Sequence, residues 1–212
     1  MPYMTIFTGQ LTSMTVKFSA NYDLQLNPSA CKRCNACGLY LNQDPALDSS
    51  AQADIFWVGL SAVQFGEDED RMPLAPDTRS GGLIEQAEQG LRSDFSFYRT
   101  NIVKCLPLNE GKIRYPAEHE MSKCFPNFEA ELSNLQPAIV FLLGKQVATF
   151  VLKKYGIKTV TFDENFDFST FNIGNTCFVP IHHPSYILVY KRKFISDYIA
   201  AIHNTVRVAM AL

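Results

Sequence analysis

The sequence predicts an α/β protein, a three-layer α/β/α sandwich on a central, mostly parallel four-stranded sheet. Two observations carry that prediction. Short apolar runs bounded by Gly or Pro alternate with segments of helical spacing, the pattern of strands joined by helical crossovers. The chain has 212 residues, 47% of them apolar, which suits one domain with a sizeable core. We read residues 1–212 as that single domain, with 1–30 as a leading extension that holds one strand.

The elements follow in order. Asp54-Ile55-Phe56-Trp57-Val58-Gly59 is an apolar run ending in Gly, a buried strand entering a loop. Leu60 to Pro76 is long, acidic and rich in turn formers, which marks a functional loop. Leu83, Ile84, Ala87 and Leu91 give Gly82 to Leu91 one apolar helical face. Tyr98 to Val103 is the second strand. Glu118 to Leu135 is a helix with Met121, Cys124, Phe125, Phe128 and Leu132 on one side. Ala138 to Leu143 is the third strand, and Gly144 opens a helix through Leu152. Thr176 to Ile181 is the fourth strand, running into His182-His183-Pro184-Ser185, and a last helix fills Lys191 to Met210. Ligands of such sheets bind beyond the carboxyl ends of the strands, so the loops after the first, second and fourth strands are where chemistry is expected.

Composition narrows the setting. No apolar run reaches the roughly 18 residues that span a bilayer, and the N-terminus lacks the pattern of a secretory signal, so the expected place is the cytoplasm, with no membrane partner. The net charge is −2. That gives no global sign of a nucleic-acid partner, although a local basic face is enough for one. Lys153-Lys154 and Lys191-Arg192-Lys193 are the local clusters, and read alone each is a solvated helix face.

Six cysteines stand at 31, 34, 37, 105, 124 and 177. In the cytoplasm clustered cysteines point to metal or redox chemistry rather than disulfides. Cys31 to Cys37 contains two overlapping C-x-x-C units, whose turn can bring two thiolates to one metal. Cys105 and Cys124 can complete a four-sulfur site. Four thiolates suit zinc or an iron–sulfur cluster, and spacing does not choose between them. Cys177, inside an apolar strand, reads as a core thiol.

Four blocks, in order, resemble the iron–sulfur class of the uracil-DNA glycosylase superfamily, known as family 4 and its neighbour family 5. They are Cys34-x-x-Cys37-x-Leu39, Thr100-Asn101-Ile-Val-Lys104-Cys105-Leu-Pro107, Glu120-Met-Ser-Lys-Cys124-Phe-Pro126 and His183-Pro184-Ser185. The resemblance runs from about Cys34 to the end of the chain and implies a glycosylase-like fold. It implies a structural [4Fe–4S] cluster on Cys34, Cys37, Cys105 and Cys124, with Cys31 left over. It implies that DNA is the partner and that a monomer extrudes one nucleotide and hydrolyses its N-glycosidic bond, leaving an abasic site.

The same resemblance assigns roles. Asn101 takes the base-reading position, where a carboxamide offers both a donor and an acceptor to a Watson–Crick edge. His183 takes the position facing the base carbonyl, where a donor stabilises the departing anion. Ser185, Tyr186 and the residues after them form the loop that enters the duplex, with Lys191, Arg192 and Lys193 on the phosphate side.

The sequence also departs from family 4. The Glu of that family's first functional loop is Leu60 here, in Gly59-Leu60-Ser61-Ala62-Val63, and family 5 likewise has an apolar residue there. Ser61 is then the candidate to orient water, and Glu67 to Asp70 is where a replacement carboxylate would be sought. The aromatic that stacks on the base is replaced by Leu74, which leaves Phe65 as a candidate π face. A smaller residue in that place suggests a pocket for a larger pyrimidine, a hypermodified phage-type cytosine in a defence role being one alternative to uracil. Two further readings are a catalytically silent iron–sulfur DNA-binding module and a zinc-stabilised nucleotide-binding protein.

Overall fold

Strands β3 (Ile55–Ser61), β4 (Phe97–Val103), β7 (Ile139–Leu143) and β9 (Thr176–Ile181) form the parallel heart of the sheet, in the order β9-β7-β3-β4. The structure is a computed structural model that describes residues 38–66 and 72–210, with the backbone alone at 3–7 and 14–17. The four strands are those that the apolar runs predict. Three antiparallel strands extend the sheet beyond β9: β8 (Phe171–Ile173), then β1 (Tyr3–Phe7), then β2 (Met14–Lys17). The leading residues thus contribute two strands where the sequence suggests one. A two-stranded hairpin, β5 (Leu108–Asn109) and β6 (Lys112–Ile113), stands apart from the sheet.

Both faces of the sheet are covered, and the period of two along each strand sorts the side chains. Phe56, Val58, Tyr98, Ile102, Val140, Leu142 and Phe178 face α2 (Glu118–Leu135) and α3 (Lys145–Lys154). Ile55, Trp57, Ile139, Phe141, Val179 and Ile181 face α1 (Arg79–Gln89), α4 (Pro184–Tyr190) and α5 (Ile195–Ala209). This is the three-layer sandwich.

The differences from the expected boundaries have local causes. β3 runs on through Leu60 and Ser61, because Ser61 still pairs with Val103 of β4; both residues end a strand and do not open the loop. α1 begins three residues before Gly82. The Thr78 hydroxyl caps it by accepting the Gly81 N–H at 3.0 Å and donates to the Ala75 carbonyl at 2.8 Å. The expected last helix, Lys191 to Met210, opens as a 3₁₀ turn over Arg192–Phe194 and continues as α5. The stretch before it is also helical, in place of a loop: Pro184 sits in the first turn of the short helix α4, where its missing N–H costs nothing.

Strand β4 is the sheet's edge on one side, and residues 42–48 cover it. The Ala46 N–H donates to the Lys104 carbonyl at 2.9 Å, Asp48 accepts from the Arg99 N–H at 2.9 Å, and Asn42 donates to the Leu106 carbonyl at 2.8 Å. An otherwise unpaired strand edge is satisfied in this way.

Candidate functional site

At the carboxyl ends of β3, β4, β7 and β9 lies a cavity of about 800 Å³. Gly59, Leu60 and Ser61 enter it from β3, Val63 and Phe65 from the loop beyond, and Asn101 from β4. His183 and Ser185 enter after β9. Pro73, Leu74, Thr78, Arg79 and Ser80 form one wall. Ile113, Arg114 and Tyr115 form another, and Leu143 to Val147 line the approach to α3. Of the residues singled out from sequence, Asn101, His183, Ser61, Leu60, Phe65, Leu74 and Ser185 therefore share one cavity. Tyr186, Lys191, Arg192 and Lys193 do not line it.

Asn101 is 3% exposed and stands beside Gly59 in the β3–β4 register. A Cβ at residue 59 would collide with the Asn101 Oδ1. Glycine at 59 is what lets the carboxamide lie across the end of β3. Behind the strand, the Lys104 Nζ donates to the Asn101 carbonyl at 2.7 Å and to Glu131 Oε2 at 2.7 Å. Lys104 and Glu131 are both fully buried. The Thr100 hydroxyl at 2.9 Å and the Tyr98 hydroxyl at 3.3 Å also donate to Glu131. The strand that carries Asn101 is thus fixed from its inner face.

The wall that carries Leu74 is also held. Leu74 has φ of 53°, a strained conformation for a branched residue. Its carbonyl accepts from the Arg99 guanidinium at 2.9 Å, while the same guanidinium donates to Glu88 at 3.0 and 2.7 Å and to Glu85 at 2.7 Å. Gly81 of α1 lies so close to the carbonyls of Leu74 and Ala75 that a Cβ there would overlap both.

The two histidines face different surroundings. His183 Nδ1 accepts the Ser185 backbone N–H at 3.1 Å and lies 2.8 Å from the Ser185 hydroxyl. A ring nitrogen that accepts an N–H carries no proton, so the neutral ring holds its hydrogen on Nε2. Burial lowers the His183 pKa below the ordinary 6.5, which favours that neutral form. His182 turns away from the cavity. Its ring stacks on Tyr186 at 5.0 Å, packs near Phe162 at 5.3 Å, and holds the Asp163 carbonyl at 3.1 Å through Nε2.

Tyr186 is thereby packed between His182 and Tyr190, and Lys191 is ion-paired with Glu164. Arg192 and Lys193 remain exposed. Ile187, in the segment that the resemblance sends into the duplex, is buried in the core. Among the described lining residues there is no carboxylate. Glu67 to Asp70, the acidic run considered for that purpose, lies outside the described residues.

Cys105 and Cys124 are buried in one cluster together with Leu39. The Cys124 sulfur accepts the Lys104 N–H at 3.5 Å and the Asn127 side-chain N–H at 3.5 Å, an environment that suits a thiolate. Cys34 and Cys37 lie outside the described residues. The described chain resumes at Gly38, and Leu39 already packs in the cluster that contains Cys105 and Cys124. Cys177 belongs to the core on the opposite face of the sheet, where burial raises its pKa.

The sequence motifs did not single out Thr78, Arg79, Ser80, Ile113, Arg114, Tyr115, Lys145 or Gln146. The Arg-Tyr pair at 114–115, a cation beside an aromatic between two motif blocks, was the one readable signal among them.

Comparison with known proteins places this geometry in a family. The model of the uracil DNA glycosylase superfamily matches residues 37–207. The chain belongs to that superfamily. It is 29% identical over 167 residues to a type-4 uracil-DNA glycosylase of Sulfurisphaera tokodaii, covering 77% of this chain and 65% of that protein. It is 28% identical over 171 residues to the type-4 uracil-DNA glycosylase of Saccharolobus solfataricus, covering 77% of this chain and 76% of the relative. The chain thus spans just under two thirds of the Sulfurisphaera relative's length. No helix among the described residues of this superfamily member is long and apolar enough to cross a membrane.

Proposed function

We propose that this superfamily member is a DNA glycosylase that extrudes a pyrimidine nucleotide and hydrolyses its N-glycosidic bond, with uracil as the base. The observation that carries the reading is the presence of Asn101 and His183 in one cavity at the carboxyl edge of the sheet, with the Ser185 N–H on His183 Nδ1. The Asn101 carboxamide pairs with the Watson–Crick edge of the extruded base. As the bond from C1′ to the base nitrogen breaks, its electron pair moves onto the base, and the His183 Nε2–H stabilises the charge growing on a base carbonyl. Water adds to C1′ of the cationic sugar, and the proton it loses balances the departing base. With no carboxylate among the described lining residues, Ser61 orients that water by hydrogen bonding, and most of the acceleration is electrostatic. Ser185 keeps His183 in its tautomer, and Arg192 and Lys193 meet phosphates.

A [4Fe–4S] cluster fits the chemistry of the donors. Cys105 and Cys124 are buried together, and the Cys124 sulfur receives two N–H groups. Cys34 and Cys37 would complete the set. When bound, the cluster supplies a cross-link between chain segments and no redox step.

The walls of the cavity favour a second reading. Leu74 on one wall is smaller than the aromatic that the family resemblance places there, and Leu60 faces the same space, so room is left beside a pyrimidine ring for a substituent. A pyrimidine enlarged by a modification fits that space. Base release from oligonucleotides carrying uracil, hypoxanthine, hydroxymethylcytosine or glucosylated cytosine decides between the two. Release of uracil supports the first reading, and release of a modified cytosine alone replaces it with the second. Binding without release from any of them would leave a silent DNA-binding module.

A further inference from the structure

We infer that Tyr115, which follows the β5–β6 hairpin at the mouth of the cavity, stacks on a base of the target strand next to the extruded nucleotide. This rests on the glycosylase reading above and adds a specificity-determining contact to it.

Tyr115 is 75% exposed and Ile113 is 55% exposed, although both are large and apolar and both line the cavity. Exposure of that kind on a floppy loop would mean little. Here the segment is locked. The Glu110-Gly111 turn has φ of 49° and 74°, the left-handed pair that closes a two-residue hairpin. The Arg114 guanidinium grips Glu120 with two bonds of 2.7 and 2.6 Å and donates to the carbonyls of Leu108 and Tyr115 at 3.1 Å each. The Glu120 carboxylate in turn accepts the Ala117 N–H at 2.7 Å, which ties the hairpin to the start of α2. An exposed aromatic side chain carried on a backbone fixed in this way is a prepared surface for a planar partner.

Charge identifies the partner. Arg79 and Lys145 lie on the walls of the same cavity, exposed, and neither meets a carboxylate among the described residues. Exposed cations and an exposed aromatic around one cavity form the single-strand platform, in which phosphates meet the cations and a base stacks on the ring. Tyr115 is too exposed to enclose the extruded base, which belongs deeper, beside Asn101. Its ring therefore meets the neighbouring base, the one that loses its stacking partner when the target leaves the helix.

The test is a cycle between protein and DNA. Binding is read by anisotropy of a labelled single strand that carries one hydrolysis-resistant 2′-fluorinated uracil nucleotide. A second strand has abasic residues on both sides of that nucleotide. Tyr115→Ala should weaken binding of the first strand by about 5- to 100-fold, the range of one base–aromatic stack, and Tyr115→Phe should bind as the parent does. On the second strand parent and Tyr115→Ala should bind alike. With cleavable uracil, Tyr115→Ala should raise the half-saturating concentration and leave the maximal single-turnover rate near the parent's. Equal binding of the first strand by parent and Tyr115→Ala overturns the inference, as does a loss that persists on the second strand or a loss confined to the maximal rate. A parent that releases no base would defeat the glycosylase reading alone, because the anisotropy cycle needs no turnover.

Discussion

His183 and His182 are adjacent in sequence and identical in chemistry, and their environments differ. The Ser185 N–H points at His183 Nδ1, so protonating that nitrogen would set two hydrogens against each other. Burial acts in the same direction and lowers the pKa below 6.5. The sign for activity follows. On the mechanism proposed above the neutral ring with Nε2–H does the work, so activity should hold to pH values below 6.5 and fall as pH drops through the lowered pKa. Stability has the same sense: the unfolded chain binds the proton first, so this contribution is present above 6.5 and is lost toward acid. His183→Ala should slow single-turnover release by about 100- to 1,000-fold, the scale of one oxyanion donor, and should remove the acid limb of the pH–rate profile. His182→Ala should keep that limb. A His183→Ala enzyme that cuts at the parent rate would remove His183 from the chemistry. At this scale the resemblance singled out Asn101 and His183, and the fold brings both to one cavity. Arg79 and Lys145 were not legible, because single cations far apart in sequence carry no pattern until the fold joins them.

Elements were legible where a period repeats over enough residues. β7 and β9 bury both faces, so their unbroken apolar runs stand out, and the 18 residues of α2 give five turns of one apolar side. The β5–β6 hairpin has two residues per strand, too few for any period, and α4 hides behind a Pro that reads as loop. β4 shows how an element's hidden face matters. Thr100 and Lys104 point to α2 and meet Glu131 in a fully buried network. An ion pair without water stabilises only while both partners stand, because either one alone is a buried charge. Lys104→Met should therefore destabilise the protein by about 3–5 kcal/mol. Adding Glu131→Leu should recover more than half of that, leaving the cost of the Tyr98 and Thr100 hydroxyls. Urea midpoints with an unchanged slope give both values. A single variant as stable as the parent would mean that the Lys104–Glu131 pair contributes nothing.

The whole molecule depends on how the edge strand β4 is covered. β4 carries Asn101, and its open side is closed by residues 42–48 through the bonds to Ala46 and Asp48. The same stretch holds the loop that lines the cavity, since Gln43 bonds the Val63 carbonyl and the Phe65 N–H, each at 3.0 Å. Hydrogen bonds at a surface open easily, so a covering segment of this kind needs an anchor at its end. Cys34 and Cys37 precede it directly, while Cys105 and Cys124 lie buried where β4 exits and α2 begins. A cluster on these four sulfurs would staple the cover to the strand it protects. Loss of the cluster should then cost about 3 kcal/mol, the scale of a cross-link closing a loop. At about 2–4 °C per kcal/mol for a chain of this size, the midpoint should fall by about 6–12 °C. Cys124→Ser should show that fall, lose iron and sulfide together, and aggregate through the uncovered β4 edge. Cys177→Ser, on the other face of the sheet, should keep its iron. Iron and sulfide analysis of anaerobically purified protein, run beside the melting curves, checks all of this. Stoichiometric zinc without sulfide would replace the cluster by a zinc staple, and an unchanged midpoint in Cys124→Ser would show that the cover holds without an anchor.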